Sequence, residues 1–369
     1  MPSSTSSSSQ RLPHLAWWRI LLGALLILAA FVAAMEVRLA ARGFRPSVID
    51  SEALWLQQRE RASALGSHAL ILVGASRMQL DMDLHVLQRE TGLEPVQLAI
   101  DGSPFTPILA GLARDPTIRG TVLVEFEDNV VADPDLNDQV SGWETQYERQ
   151  QHQHRVPDFA MSEAYLTDFL HGMLRSYADG TRPITALLQR ILNPRPTPQY
   201  LTMLPDRSML ADYSRISIPA IYYGRAIRNL GETVNIAPDT TYAQLDAMLK
   251  KRIAALKPVD DTAYRRDSRE IAAMADAIKA HGGRVIFIVF PRSGDVKDMD
   301  ERRYPRKEFW DRFAAATTAP VLNFEDVPAL RGFTCPDGSH LDYRDRPRFT
   351  RALVAALGLG KNAGAKSKP

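Results

Sequence analysis

Apolar and polar positions divide the chain into three kinds of segment. Near the amino terminus, Ile20 to Met35 holds no charged or strongly polar residue. As a helix it extends about 24 Å at 1.5 Å per residue. Adding Leu15 to Trp18, with Arg19 snorkelling, brings it to the roughly 20 residues that cross a bilayer. Trp17 and Trp18 sit where an interfacial aromatic belt belongs. From residue 68 the pattern alternates. "HALILVGAS", "PVQLAI" and "TVLVEFEDN" read as buried strands, separated by the amphipathic stretches "LDMDLHVLQRETG" and "FTPILAGLARD". The rhythm returns late, with helix "SREIAAMADAIKAHGG", strand "RVIFIVFPRSG", helix "RRYPRKEFWDRFAAATT", strand "APVLNFEDV" and a closing helix in "YRDRPRFTRALVAALGLG". Single helices between apolar strands predict a parallel sheet covered on both faces.

Residues 130–262 break that rhythm. They are rich in polar and aromatic residues, with helical pieces near 159–176, 183–192 and 239–256 and punctuation such as "NPRPTPQ". A structureless loop of that length does not sit inside a compact domain. The stretch is therefore expected as a large, mostly helical insertion between the third and fourth strands. The expected division is a disordered tail at 1–14, a transmembrane signal anchor at 15–36 and a juxtamembrane linker or helix at 37–67. An α/β domain follows from 68–129 and 263–357, split by the insertion, with a second disordered tail at 358–369.

A hydrophobic share of 45% supplies an ample core, and a net charge of +2 gives no reason to expect a nucleic-acid partner. No zinc-type spacing, Walker loop or dinucleotide-binding glycine fingerprint occurs, so no cofactor or metal is expected. The single cysteine, Cys335, excludes an intrachain disulfide framework and reads as a packing residue. His152 and His154 in "QHQHR" read as a solvated face rather than a metal pair. The apolar helix has a rival reading as a cleaved signal peptide, since "VAA" at 32–34 is a passable small-residue site. Its orientation stays open. Arg11 and Arg19 precede it, and Arg38, Arg42 and Arg45 follow.

Four features fall at the carboxyl ends of strands, where open parallel sheets bind ligands. They are Ser76 after the first strand, Gly102 in "DGSP" after the second, Asn129 after the third, and "CPDGSHLD" beyond the last. Asp337 and His340 are three residues apart, which lets the carboxylate fold back on the imidazole. A carboxylate against one ring nitrogen fixes the tautomer and leaves the other as a base. A serine at the same edge completes what nucleophilic acyl chemistry requires. Taken singly, each residue has a plainer reading: a helix cap for Ser76, an Asx-turn for Asp337, a surface position for His340 and a turn glycine for Gly102. Arg77 is a candidate to hold an anionic or sugar hydroxyl group at the mouth, or equally a structural ion pair.

The order Ser76, Gly102, Asn129, Asp337-x-x-His340 resembles the SGNH hydrolase superfamily, also called GDSL-like. The resemblance covers roughly residues 68–129 and 265–357. It implies a flavodoxin-like three-layer α/β/α parallel sheet. It also implies Ser76 as nucleophile, His340 as general base and Asp337 as its orienter. The amides of Ser76 and Gly102 and the side chain of Asn129 would form the oxyanion hole. Two blocks depart from the family: "GASRM" replaces GDSL, and "EFEDN" replaces Gly-x-Asn-Asp, so that Glu125 or Asp128 could shift the geometry there. The juxtamembrane "RGFRPSVIDSEALWLQQRERA" is similar to the membrane-anchored branch, which includes alginate acetylation and lipoteichoic acid D-alanylation proteins.

That branch implies an O-acetyltransferase or acetylesterase acting on a bacterial polysaccharide. It implies a single pass through the inner membrane, a periplasmic domain and a polytopic acyltransferase partner. Two other readings stand beside it. One is a non-catalytic membrane-anchored scaffold of a polysaccharide export or acylation complex. The other is a soluble periplasmic lipase or thioesterase released by signal cleavage.

Overall fold

The computed structural model describes residues 14–132, 139–152, 159–231 and 236–361. Among them are seven strands: β1 (Ala69–Val73), β2 (Glu94–Gln97), β3 (Thr121–Glu125), β4 (Leu201–Met203), β5 (Met209–Ala211), β6 (Arg284–Val289) and β7 (Val321–Asn323). Five of them form one sheet in the order β2–β1–β3–β6–β7, every pair parallel. Leu70 stands opposite Pro95 on one side and Thr121 on the other, and Val124 opposite Phe287. All five residues of β1 are buried, as a strand covered on both faces requires. Pro95, which has no amide hydrogen to donate, is tolerated because β2 is an edge.

From β1 the chain steps to β2, then reverses past β1 to reach β3. Right-handed crossovers in opposite directions place their helices on opposite faces. Helix Leu84–Thr91 packs against Arg346–Ala356, and helix Thr106–Arg114 against Thr262–Ala280. Between the layers, Phe126 stacks on Phe313 at 4.3 Å and meets Trp310 and Phe287 edge-on. The reversal leaves a crevice beyond the carboxyl ends of β1 and β3, which is where this architecture holds a site.

Three local expectations need correction. The helix read from "LDMDLHVLQRETG" starts only at Leu84, because the Asp83 carboxylate accepts the Val86 amide at 2.9 Å and caps it there. The helix expected in "RRYPRKEFWDRFAAATT" is two: Gly294–Arg303 ends before Pro305, and Trp310–Ala316 resumes after it. Within the expected tail 358–369, the Lys361 amide donates to the Glu90 carbonyl at 3.0 Å, so residues 358–361 fold onto the domain. Residues 362–369, and the expected amino-terminal tail as far as residue 13, lie outside the described residues, while His14 already belongs to a helix.

Between β3 and β6 stand helices Gln139–His152, Phe159–Met173, Ile218–Asn229 and Tyr242–Ala255, together with the antiparallel hairpin β4–β5. The hairpin was not foreseen, since three-residue strands carry too little alternation to register. It is held by the buried Arg207, whose guanidinium pairs with Asp50 at 2.7 Å and donates to the carbonyls of Gln97 at 2.6 Å and Ala99 at 3.1 Å. Alongside, the Val48 amide donates to Met203 O at 3.0 Å, so the segment after the N-terminal helix runs beside β4. Upstream lies the helix His14–Ala41, whose stretch Trp17–Ala41, with mean hydropathy 2.6, is long and apolar enough to cross a membrane.

Candidate active site

Ser76 sits where β1 gives way to a short helix, Ser76–Leu80. The turn before it is tight. A Cβ on Gly74 (φ +154) would lie 2.5 Å from Cβ of Glu125, so only glycine fits there. Glu125, buried at the end of β3, explains the crowding. Its Oε2 accepts the amides of Ala75 and Met78, each at 2.9 Å, and so fixes the turn that presents Ser76.

Two distant pieces of chain meet at the Ser76 hydroxyl. His340 Nε2 lies 2.8 Å from Ser76 Oγ, and His340 Nδ1 lies 2.9 Å from Asp337 Oδ2. Asp337 Oδ1 accepts the amides of Ser339 and His340 at 2.9 and 2.8 Å, which closes the loop tightly on itself. Both side chains are almost fully buried. Burial pushes His340 below its ordinary value, helped by Arg225 and Arg77 and opposed by Asp337. The imidazole is thus neutral near pH 7, with its hydrogen on Nδ1 toward the carboxylate and Nε2 open to accept a proton. Burial would raise Asp337, but His340, Arg225 and the Ser339 amide outweigh it and hold the carboxyl well below its usual range.

Arg225 was not singled out from the sequence. It stands on helix Ile218–Asn229, with Nε 2.7 Å from Asp337 Oδ2, the oxygen that also faces His340. The hairpin region supports the same loop. Asp337 faces the buried Tyr213 phenol, and burial together with that carboxylate pushes the phenol up. The Tyr213 amide donates to Asp342 Oδ2 at 3.2 Å, and the Tyr343 amide donates to Ala211 O at 2.9 Å. From the other side, the buried Asp81 accepts the Leu341 amide at 2.9 Å. The histidine loop is therefore gripped by elements on both sides.

A cleft of about 320 Å³ opens over Ser76, lined also by Gly102, Asn129, Arg225 and Arg303. Gly102 adopts φ +67, with open space where a side chain would be. Ser103, unremarked in the sequence, lines the same cleft, and its buried hydroxyl has no hydrogen-bond partner among the described residues. Arg77 lines it too, but its guanidinium is taken up by Glu125 at 3.3 Å, by Glu127, and by the Ser339 carbonyl at 3.2 Å. Of its two readings, the ion pair describes what its side chain does here. Cys335 is buried and bonded to the Pro291 carbonyl, and its thiol is raised by burial, consistent with packing. The His152 side chain and all of His154 lie outside the described residues. Among those described, no cluster of three or more His, Cys, Asp or Glu side chains could hold a metal ion.

The arrangement has the parts for acyl transfer through serine: a hydroxyl beside a neutral, oriented imidazole, facing an accessible cleft. No family model matches the chain, and no curated protein matches it.

Proposed function

We propose that this chain is a membrane-anchored serine acyl-transfer enzyme of the SGNH type, with a flavodoxin-like sheet. In its reaction Ser76 Oγ attacks the carbonyl carbon of an acyl ester while His340 Nε2 takes the hydroxyl proton. Asp337 holds the imidazolium that forms. The negative oxygen of the tetrahedral intermediate is received by the amides of Ser76 and Gly102 and the side chain of Asn129, each such donor contributing about 3 kcal/mol. The intermediate collapses with loss of the alcohol, which takes the proton from His340. A sugar hydroxyl or water, deprotonated by the same imidazole, then attacks the acyl-serine and frees Ser76.

One observation carries this reading: the unbroken line from Ser76 Oγ through His340 to Asp337, at 2.8 and 2.9 Å. The strand order supports it, since counting sheet strands alone gives 2-1-3-4-5 and puts Ser76 and Asn129 at the switch point. The proposed substrate is a bacterial polysaccharide, reached on the periplasmic side of the inner membrane, either as acceptor of an acyl group supplied through a polytopic acyltransferase or as the acetyl ester that is hydrolysed.

A second reading, a non-catalytic scaffold of an export or acylation complex, draws on a specific feature. The Glu125 carboxylate sits against the turn of the nucleophile, where negative charge works against an oxyanion. A fluorophosphonate probe on the full chain separates the two. Covalent labelling that disappears in Ser76→Ala supports the enzyme. A folded protein that neither labels nor hydrolyses a chromogenic acetyl ester supports the scaffold.

A further inference from the structure

Away from the cleft, the surface carries an apolar face with a definite position. Beyond the N-terminal helix, the six most exposed large apolar side chains among the described residues all lie on two neighbouring segments. Leu166, Phe169 and Met173 share one face of helix Phe159–Met173. Ile184, Leu188 and Leu192 recur every fourth residue along the helical segment 183–192, with Ile184 73% exposed. Two polar residues of the first helix turn inward: Asp168 meets Ser51 at 3.5 Å, and His171 is buried.

Both segments clasp the N-terminal helix. The Glu36 carboxylate accepts the amides of Arg175 and Ser176 at 2.8 and 2.9 Å, just past the first segment. Met35, Leu39 and Phe44 pack with Ala186 and Ile191 of the second. Arg42 donates to the carbonyls of Arg190 at 2.9 Å and Asn193 at 2.7 Å. Helical rise fixes the level of this clasp. From Trp17 to Met35 the helix covers about 27 Å, close to the roughly 30 Å of a hydrocarbon core. The domain is thus joined to the helix at the boundary of a bilayer, with no spacer between.

We propose that these two apolar faces lie in the headgroup–acyl boundary of the bilayer that holds the N-terminal helix, so that the domain rests on the membrane instead of standing off it. Continuity selects lipid as the occupant. The two stripes are on separate elements, flank the contacts that hold residues 35–44, and adjoin a helix whose apolar side chains are themselves exposed. Arg38, Arg182 and Arg195 are exposed beside them, and long cationic side chains at that level reach lipid phosphates.

The test uses the full chain in lipid vesicles that hold no other protein, with an environment-sensitive fluorophore on a single introduced cysteine and Cys335 left in its buried place. Labels at Phe169→Cys and Leu188→Cys are expected to emit at short wavelength and to lose most of their emission when the acyl chains are brominated. They should match a label at Leu26→Cys, while one at the exposed Glu270→Cys stays unchanged. Water-like, unquenched emission at 169 and 188 overturns the proposal. So does burial of those labels that appears only when another membrane protein is added, which would assign the face to a protein. The outcome is independent of any serine chemistry.

Discussion

Around the parallel sheet the contacts are apolar and continuous, from β1 through the stacked rings of Phe126 and Phe313 to the outer helices. Between β3 and β6 the chain fastens itself to that body with smaller apolar clusters and with arginines. Arg207 grips Asp50 and two carbonyls at the end of β2 and just beyond it, Arg225 grips Asp337, and Arg303 donates to the carbonyls of Asn229 and Leu230, both at 2.6 Å. Apolar packing tolerates small shifts, because many weak contacts share the load. A buried guanidinium does not. Removing it takes a partner from carboxylates and carbonyls inside the fold. The candidate site stands on the seam: Ser76 belongs to the sheet, whereas the loop of Asp337 and His340 is braced by the arginine-held region.

This contrast predicts that activity and stability come apart on one side of the seam and fall together on the other. Ser76→Ala should lower acetyl ester turnover by about 10⁴-fold or more, with an unchanged urea midpoint. A residual rate near that of the unsubstituted protein would remove Ser76 from the chemistry. Arg207→Ala should instead cost about 3–5 kcal/mol of stability, read from urea unfolding of the full chain. It should also weaken activity at temperatures where the fold still stands, because the hairpin holds the Tyr213 side of the histidine loop. A cost comparable to that of an exposed arginine would mean that the hairpin is held by something other than its ion pair.

Sheet strands were legible in the sequence because each is a local apolar run between turn signals, and the positions of Ser76, Gly102 and Asn129 at strand ends came with them. Asp337 and His340 were legible as a pair because three residues separate them. Arg225 and Asp337 are 112 residues apart. No local pattern marks that contact, and a lone arginine within the insertion reads as solvated. Glu125 did leave a signal, a carboxylate closing the apolar run "TVLVE", since a buried charge requires partners. Its partners, two backbone amides beside Ser76, only the fold supplies. Arg77 shows the reverse: a charge at the mouth of a site whose neighbours, Glu125 and Glu127, keep it for themselves.

Arg225→Gln sharpens the comparison with a smaller effect. His340 must be neutral to accept the serine proton, so activity is present above its pKa and lost as pH falls through it. Burial and the positive charges of Arg225 and Arg77 hold that value down, while Asp337 raises it. With Arg225 gone the imidazole keeps its proton to higher pH, and the acid limb of kcat/KM moves upward. Near pH 8 the variant should approach the parent. At lower pH the loss should be no more than about 10-fold, small against the about 10²–10⁴ that a general base contributes. Arg225→Lys should restore the profile in part. An unshifted acid limb would confine Arg225 to structural bracing.

The last effect, read in stability and not in turnover, belongs to Glu125→Gln, on the sheet side of the seam. Burial, then the neighbouring Glu127, push Glu125 up to about 7 from its ordinary 4.5, against the pull of Arg77 and the Met78 and Ala75 amides. A carboxyl group raised on folding is ionised at a cost. That cost is absent below pH 4.5, grows as the unfolded chain loses its proton first, and is complete above about pH 7. Glutamine carries no charge to bury and keeps one carbonyl oxygen for the two amides, while Arg77 retains Glu127 and the Ser339 carbonyl. The variant should therefore gain stability relative to the parent as pH rises between those limits, by up to about 3 kcal/mol for a shift of that size, and the difference should flatten beyond them. Urea midpoints of both proteins at pH 4.5, 6 and 8 measure it. A difference constant across that window would mean that Glu125 holds the serine turn as an ordinary ionised carboxylate, with Arg77 rather than burial deciding its state.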